Sequence, residues 1–420
     1  MVFDLEFLEQ LIRQKVLFLT EAASVIRHGR GERLRELIEL CCARVIRSLD
    51  EKLADMSRLG EDASEDETRN FSRELERLLT DLTSYYNILS TYRHDAGRDD
   101  LPVGLLNLID QVIVDLLPEG ADPLIHSDHE ENYGTSNLRQ GLPIDMDPPY
   151  PIAIHIPALT PASALLSPLL VHEVAHSAGQ DQAMEGLLNE WDANGTWDQI
   201  NALFDQHAAN SRADSSGWMR NLISWCEELF CDGIATALTG PSYVYSIAHF
   251  LALPNGRPGS SHPPDRLRVA FCLKVLEQHG WLPEMLRWHP KILEWMIALS
   301  ADAVSPRSSK DRFLTAAIDL VTSDLVRVAT SRVPEAFRPN DHDENLTEAL
   351  LMLAEGIPPV SLSTPTLSVW QIVLCGWISG VTSGGNIPRA INSAAVDVSL
   401  NALLIKTMEM VKIVELWEQS

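Results

Sequence analysis

The sequence predicts a mostly α-helical protein of the α+β class that contains one small β-sheet. Apolar residues recur every three or four positions through most of the chain, whereas strand patterns are few and fall between residues 120 and 160. Hydrophobic residues make up 45% of the 420 residues, so a sizeable core is expected. This length exceeds what one compact core usually holds, and two or three structural units are therefore expected.

Residues 1–100 are predicted to form a helical N-terminal region. Leu8 and Ile12 illustrate the apolar spacing, and charged residues occupy the other faces of the same helix. Breaks between helices are predicted at residues 29–31, where two glycines flank an arginine, and in the acidic stretch 60–67. We expect a bundle that packs on the rest of the chain. A surface for a partner protein is the alternative that these residues leave open.

The strand candidates and one apolar helix follow this region. Leu124–His126 predicts a short strand, and Ile152–Pro157 predicts a second one, because its β-branched residues are bounded by prolines. A helix is predicted from Pro161 to Ala178. Thr160 would cap its N-terminus, and Gly179 would end it.

The remainder of the chain is predicted to be helical. The chain is accordingly divided into a helical N-terminal region (1–100), a core (101–275) and a helical C-terminal region (276–420). The best helical segments beyond residue 215 are 218–238, 243–253, 266–278, 283–301, 310–329 and 391–418.

Charge and composition narrow the class of protein. A net charge of −26 argues against a nucleic-acid-binding protein, because phosphate contacts need clustered lysine and arginine. The most apolar stretch, residues 369–381, is shorter than the roughly 20 residues that cross a bilayer. The first residues carry acids where a signal peptide needs basic residues. Six cysteines without a CxxC pair favour a reducing compartment. We therefore expect a cytoplasmic protein with no membrane insertion.

Residues 172–176 form an HExxH motif. His172 and His176 are four positions apart on the predicted helix, so both imidazoles project from one face within reach of one ion. Glu173 stands beside them, where its carboxylate could take a proton from a metal-bound water. Two histidines that merely share a helix face are the structural alternative. A helix that follows a strand is the context that a zinc site requires, and this favours the metal-binding interpretation.

A zinc site needs a third protein ligand, and a later helix supplies the candidates. The metzincin extension of HExxH fails, because its next ligand position holds Gln182 instead of histidine. Glu228 and Asp232 share one face of an otherwise apolar helix, where acids are costly without a partner. Glu228 could ligate the ion while Asp232 accepts the second ring N–H of a liganding histidine. Glu227 points about 100° away and is the weaker candidate. A solvated acidic turn is the alternative.

These motifs resemble those of gluzincin metallopeptidases, and specifically those of the HtpX and CAAX prenyl endopeptidase group. That group combines HExxH with a later ExxxD pattern, which here spans residues 228–232. A third signature agrees, because the turn Ser261-His262-Pro263-Pro264 is followed by Arg268, six residues after the histidine. The resemblance covers about residues 150–275.

The resemblance implies a zincin-like core with a small sheet, flanked by helical regions, and it implies roles for the site residues. Zn²⁺ would be bound by His172, His176 and Glu228. Glu173 would be the general base, and Asp232 would orient a liganding histidine. His262 and Arg268 would lie near the substrate or the developing oxyanion.

The implied activity is that of a zinc-dependent hydrolase, a peptidase that cleaves protein or peptide substrates with a zinc-activated water. The related group is embedded in membranes, so prenylated or membrane substrates are not carried over to this chain. The alternative is a non-catalytic, zinc-stabilised helical interaction protein. Glu173 favours the enzyme, because a structural zinc site has no use for a carboxylate beside its ligands.

Two further features have open interpretations. Tyr133, Tyr243 and Tyr245 could each donate a hydrogen bond to an oxyanion, or could serve in packing. Residues 181–216 lie between the two ligand-bearing helices and contain two tryptophans, Trp191 and Trp197. This segment could form a lid or an ordinary helical excursion.

Overall fold

The computed structural model of the chain describes most of its residues. The described ranges are 5–24, 32–59, 64–92, 102–117, 123–128, 134–137, 152–157, 163–178, 180–208, 215–251, 262–301, 308–333, 336–339, 343–360, 367–381, 387–395 and 397–418.

The described residues form seventeen α-helices and one three-stranded sheet, which confirms the predicted mostly α fold with a small β-sheet. The helices are α1 (Leu5–Ser24), α2 (Glu32–Leu59), α3 (Glu65–Tyr92), α4 (Val103–Leu116), α5 (Pro168–Ser177), α6 (Gln180–Asn194), α7 (Thr196–Ala208), α8 (Ser215–Thr239), α9 (Pro241–Leu251), α10 (Asp265–Gln278), α11 (Leu282–Trp288), α12 (Pro290–Ala301), α13 (Ser309–Ser331), α14 (Asp343–Ala354), α15 (Val369–Gly380), α16 (Ile387–Ala395) and α17 (Val398–Glu418). The strands are β1 (Leu124–Asp128), β2 (Gly134–Asn137) and β3 (Ile152–Pro157).

The chain divides into two compact units. The first contains Met1–Asp100 and Pro118–Ala158, and the second contains Leu101–Leu117 and Leu159–Ser420. Helices α1 to α3 and the sheet therefore belong to the first unit, and all other helices belong to the second. These boundaries differ from the three regions predicted from the sequence, because the strands and the HExxH helix fall in different units.

The first unit combines a three-helix bundle with the sheet. Helices α1, α2 and α3 contact one another, and their apolar faces share one core. Leu124 of β1 and Ala153 of β3 belong to that core. Strand β3 lies in the middle of the sheet, parallel to β1 and antiparallel to β2. Residues 152–154 and 156 of β3 are buried, which accounts for the continuous apolar run that predicted this strand.

In the second unit, α8 is the helix on which the candidate site is built. It contacts α5, α9, α10 and α13. Its second half is buried, and Gly233 allows α13 to approach closely, because a Cβ atom at this position would lie 2.6 Å from Ala329 Cβ. Acidic side chains on this half of α8 are therefore removed from water and must find partners inside the unit.

A tight turn joins α8 to α9. Gly240 has a φ of +60°, a conformation that favours glycine, and Pro241 follows as the first residue of α9. A Cβ atom at Gly240 would lie 3.0 Å from Phe337 Cδ1, so the surrounding packing also favours glycine. The turn brings α9 back into contact with α8.

Several predicted helices have different limits in the structure. The helix expected from Pro161 begins at Pro168, after a short 3-10 helix at Ala164–Leu166, and its predicted cap lies outside the described residues. Pro168 suits the first turn of α5, where its missing N–H has no partner to lose. The predicted helix 283–301 is two helices that are separated at His289, because Pro290 restricts the residue before it. Segment 391–418 is likewise divided between α16 and α17.

The most apolar stretch of the chain is α15, a helix of 12 residues. Ser368 and Gln371 form a reciprocal capping box at its start, in which each side chain accepts from the backbone N–H of the other residue. Most of its residues are buried in the second unit. Among the helices that the structure describes, none combines the length and the apolar character needed to cross a membrane.

Candidate metal centre

Helix α5 presents the two histidines of the HExxH motif to one point. His172 is 5% exposed, and His176 is half-buried one turn later. Their Nε2 atoms lie 3.3 Å apart, and the two ring planes meet at 85°. The rings are therefore not stacked, and their Nε2 nitrogens converge.

Helix α8 adds a carboxylate to this pair. One oxygen of Glu228, Oε2, lies 3.5 Å from His172 Nε2, and the other, Oε1, lies 3.7 Å from His176 Nε2. Oε2 is buried, yet no described donor gives it a well-formed hydrogen bond. A buried carboxylate oxygen without such a bond is unfavourable unless a cation or a proton occupies the space in front of it.

The spacing of the three groups fits a tetrahedral zinc ion. Zinc bonds of about 2.0 to 2.2 Å place two donors of a tetrahedron about 3.3 to 3.6 Å apart, and the three measured separations are 3.3, 3.5 and 3.7 Å. His172, His176 and Glu228 form the metal-sized group of His, Cys, Asp and Glu side chains found among the described residues. Glu227 is not in that group, so the geometry selects Glu228 from the two adjacent glutamates.

Asp232 lies one turn beyond Glu228 and is fully buried. Its Oδ1 accepts a hydrogen bond from Arg268 Nη2 at 2.6 Å and lies 2.9 Å from His172 Nδ1, and its Oδ2 accepts from Arg268 Nε at 2.8 Å. Burial alone would raise the pKa of Asp232, but the charge and hydrogen bonds of Arg268 hold it well below its usual range. The carboxylate is therefore ionised and available to His172.

Asp232 determines how His172 is oriented. Because Nδ1 donates to Asp232, the lone pair for a metal is left on Nε2, which faces His176 and Glu228. Burial by itself lowers the pKa of His172, but the neighbouring carboxylates of Asp232 and Glu228 outweigh it and raise the pKa to about 9. A metal ion at the three donors would displace the second ring proton.

The two residues carried by the third sequence signature lie in different surroundings. The His262 side chain is 54% exposed, and its Nε2 lies 3.4 Å from Glu228 Oε1. Arg268, on α10, is mostly buried and forms two hydrogen bonds to Asp232. The structure thus brings His262 to the open side of the site, whereas it brings Arg268 to Asp232. The predicted position of Arg268 beside the substrate stays a prediction.

Glu173 follows His172 on α5 and is half-buried. Burial raises the pKa of the Cys231 thiol on α8 well above its usual range, and the negative charges of Glu228, Asp232 and Glu173 raise it further. Cys231 is therefore a neutral thiol in the core. The role of Glu173 as the general base stays a prediction.

The two tyrosines of α9 are both fully buried but have different partners. The Tyr243 hydroxyl donates to Asp232 Oδ1 and lies 3.2 Å from His172 Nδ1, and its ring is parallel to that of His172, at 9° and 6.1 Å between centroids. The Tyr245 hydroxyl lies 2.8 Å from His289 Nδ1, away from the site. The sequence offered both tyrosines only as oxyanion donors or packing residues, and Tyr133 lies outside the described residues.

The segment between the ligand-bearing helices is helical over residues 180–208, and this favours the helical excursion over the lid. It forms the helices α6 and α7, and α7 packs on α13. Trp191 is fully buried, and its indole N–H donates to Asp324 at 3.1 Å. The indole N–H of Trp197 donates to the Leu188 carbonyl at 3.2 Å.

No protein-family model, curated protein or solved structure matches this chain. The function of the site has to be inferred from its own residues. What these residues offer is two histidines and one glutamate at metal-binding distances, a glutamate beside them, and an exposed histidine at the edge.

Proposed function

We propose that this protein is a zinc-dependent hydrolase, a peptidase with a zincin-like core, whose metal ligands are His172, His176 and Glu228. The convergence of the two Nε2 atoms at 3.3 Å beside a buried Glu228 oxygen is the observation that carries the proposal. Two histidines and a glutamate are a ligand set used by catalytic zinc sites.

Bound zinc would polarise a substrate carbonyl and make water a competent nucleophile near neutral pH. Glu173 accepts a proton from the attacking water and passes it to the leaving amine. His262, exposed and 3.4 Å from Glu228, donates a hydrogen bond to the oxygen on which negative charge develops. Asp232 orients His172, and Arg268 holds the Asp232 carboxylate in place through two hydrogen bonds.

We propose protein or peptide substrates, since this ligand set most often serves amide hydrolysis, and a cytoplasmic location. All six cysteines are buried thiols, which supports a reducing compartment. The net charge of −26 argues against nucleic acid as the substrate. We do not extend the proposal to prenylated or membrane-embedded substrates.

The proposal is tested by metal analysis of the purified full-length chain together with the variant Glu173→Gln. We expect zinc in both proteins and cleavage of an unfolded protein substrate, read as new N-termini by mass spectrometry, in the wild type alone. Glu185→Gln is the matched control, since it removes an exposed carboxylate from α6.

Absence of zinc from the wild type would overturn the proposal. Zinc without cleavage of a broad mixture of unfolded proteins would replace it with the non-catalytic, zinc-stabilised interaction protein.

A further inference from the structure

We infer that Tyr243 is a positioning residue of the proposed metal centre, because its hydroxyl holds the Asp232 oxygen that orients His172. This inference rests on the proposed function, since it concerns how a metal ligand is held. It assigns to Tyr243 a role that the HExxH and ExxxD patterns do not contain.

The Tyr243 hydroxyl lies at the junction of three charged or metal-binding groups. It donates to Asp232 Oδ1, lies 3.2 Å from His172 Nδ1, and lies 3.4 Å from Arg268 Nη2. The same oxygen, Asp232 Oδ1, is therefore shared by the imidazole, the guanidinium and the phenol. Both Asp232 and Tyr243 are completely buried, so these contacts are shielded from water.

Arg268 and His172 compete for Asp232 Oδ1, and the Tyr243 hydroxyl helps to keep this oxygen near His172. Arg268 binds both oxygens of Asp232 and by itself would draw the carboxylate toward α10. His172 depends on one of these oxygens for its ring orientation. A phenol that donates to Oδ1 and lies beside His172 Nδ1 opposes movement of this oxygen away from the imidazole.

The ring of Tyr243 restrains His172 in a second way. The phenol and imidazole planes are nearly parallel, at 9°, with centroids 6.1 Å apart. Tyr243→Phe would retain this ring contact and remove only the hydroxyl, so the variant isolates the hydrogen bond.

The turn between α8 and α9 explains why this tyrosine reaches Asp232. Tyr243 is eleven residues beyond Asp232, and the positive φ of Gly240 folds α9 back onto α8 between them. The backbone N–H of Tyr243 donates to the Gly240 carbonyl at 3.3 Å, which ties the first turn of α9 to that glycine.

Two other roles for Tyr243 fit the contacts less well. A donor to a substrate oxyanion must face the substrate, but this side chain is 0% exposed and its hydroxyl already donates to Asp232. A residue that serves in packing alone does not need a hydroxyl, and a buried hydroxyl is unfavourable unless it is bonded.

Tyr245 is a matched control on the same helix. It is also 0% exposed, and its hydroxyl also contacts a histidine nitrogen, His289 Nδ1, at 2.8 Å. Tyr243→Phe and Tyr245→Phe thus each remove one buried hydroxyl–histidine contact, and only the first of these contacts belongs to the metal centre.

The experiment measures zinc affinity by chelator competition in the full-length wild type and in both variants. The melting temperature of each protein is recorded with and without zinc, so that a loss of fold is not read as a loss of affinity. We expect Tyr243→Phe to weaken zinc binding by about 10- to 100-fold, the usual effect of losing a partner that orients a ligand. We expect Tyr245→Phe to leave the zinc affinity unchanged, whatever stability it loses.

A double-mutant cycle with Asp232→Asn tests whether Tyr243 influences zinc affinity through Asp232. If Tyr243 acts through Asp232, the change Tyr243→Phe has much less effect on zinc affinity in the Asp232→Asn background than in the wild type. Equal zinc affinities for Tyr243→Phe and Tyr245→Phe, or fully additive effects in the cycle, would overturn the inference. Absence of zinc from the wild type would instead overturn the proposed function, so the two failures are distinguishable.

Discussion

His172 Nε2 and His176 Nε2 lie 3.3 Å apart on α5, in rings that meet at 85°. Two imidazole nitrogens at this distance repel each other unless a proton or a cation lies between them. Their separation is also the edge length of a zinc tetrahedron. Together with Glu228, which faces it from α8, this pair forms the proposed zinc site.

We predict that Glu228→Gln abolishes zinc binding, whereas Glu227→Gln retains it. Glu228 supplies a charged ligand, so its loss should reduce zinc affinity by more than the roughly 100-fold that follows loss of an orienting partner. The adjacent Glu227 is half-buried like Glu228 but is not part of the metal-sized group. Zinc content after dialysis against a weak chelator gives the answer, and equal zinc in both variants would show that Glu228 is not a ligand.

Arg268→Met should destabilise the fold strongly, because it removes the guanidinium that pairs with both oxygens of the buried Asp232 carboxylate. Breaking a buried ion pair in this way costs about 3 to 5 kcal/mol. The matched control is Arg327→Met, which breaks a pair with Glu190 whose side chains are 54% and 53% exposed and should cost no more than about 1 kcal/mol. Urea unfolding of the metal-free proteins measures both effects, and similar losses would argue against a structural role for the Asp232–Arg268 pair.

Gly240→Ala should lower the free energy of unfolding by about 1 to 2 kcal/mol, since an L-residue is strained at its φ of +60°. Gly186→Ala is the control. A Cβ atom at Gly186 would meet nothing within 4 Å, and replacing a glycine inside a helix should add roughly 0.5 to 1 kcal/mol. Thermal melts should show a lower melting temperature for Gly240→Ala and a higher one for Gly186→Ala. An unchanged melting temperature for Gly240→Ala would show that the positive φ of Gly240 is not needed in the α8–α9 turn.

His262→Ala should retain zinc and lose activity. An exposed donor that stabilises developing charge typically contributes about 100- to 1000-fold to turnover, and His262 Nε2 lies 3.4 Å from Glu228 Oε1. His207→Ala, on α7, is the control for the loss of a histidine outside the candidate site. Turnover on the substrate identified with the wild type is the measurement. Full activity of His262→Ala would remove this residue from the mechanism.

Local patterns predicted much of the fold. Helices such as α8 and α10 follow from apolar spacing, and β3 follows from its run of β-branched residues. Strand β2, with the sequence Gly-Thr-Ser-Asn, was not predicted, because its four residues have no apolar pattern and its position depends on pairing with β3. The predicted start of α5 was wrong, and the break before α12 was not predicted. Pro168 and Pro290 define these helix starts more strongly than apolar spacing does.

In the candidate site, contacts within one helix could likewise be predicted, whereas some contacts between helices could not. His172 with His176, and Glu228 with Asp232, are each four residues apart, so helix geometry alone brings each pair to one face. The sequence predicted a liganding histidine as one partner of Asp232, but it did not predict the other two partners. Tyr243 and Arg268 reach it only because α9 and α10 pack on α8, and packing between distant helices leaves no periodic signal in the sequence.

The most direct test of the metal centre is a crystal structure of the purified full-length protein with diffraction data on both sides of the zinc absorption edge. We predict an anomalous peak within about 2.0 to 2.2 Å of His172 Nε2, His176 Nε2 and a Glu228 carboxylate oxygen. A zinc peak elsewhere, or none at these three residues in zinc-containing crystals, would contradict the account.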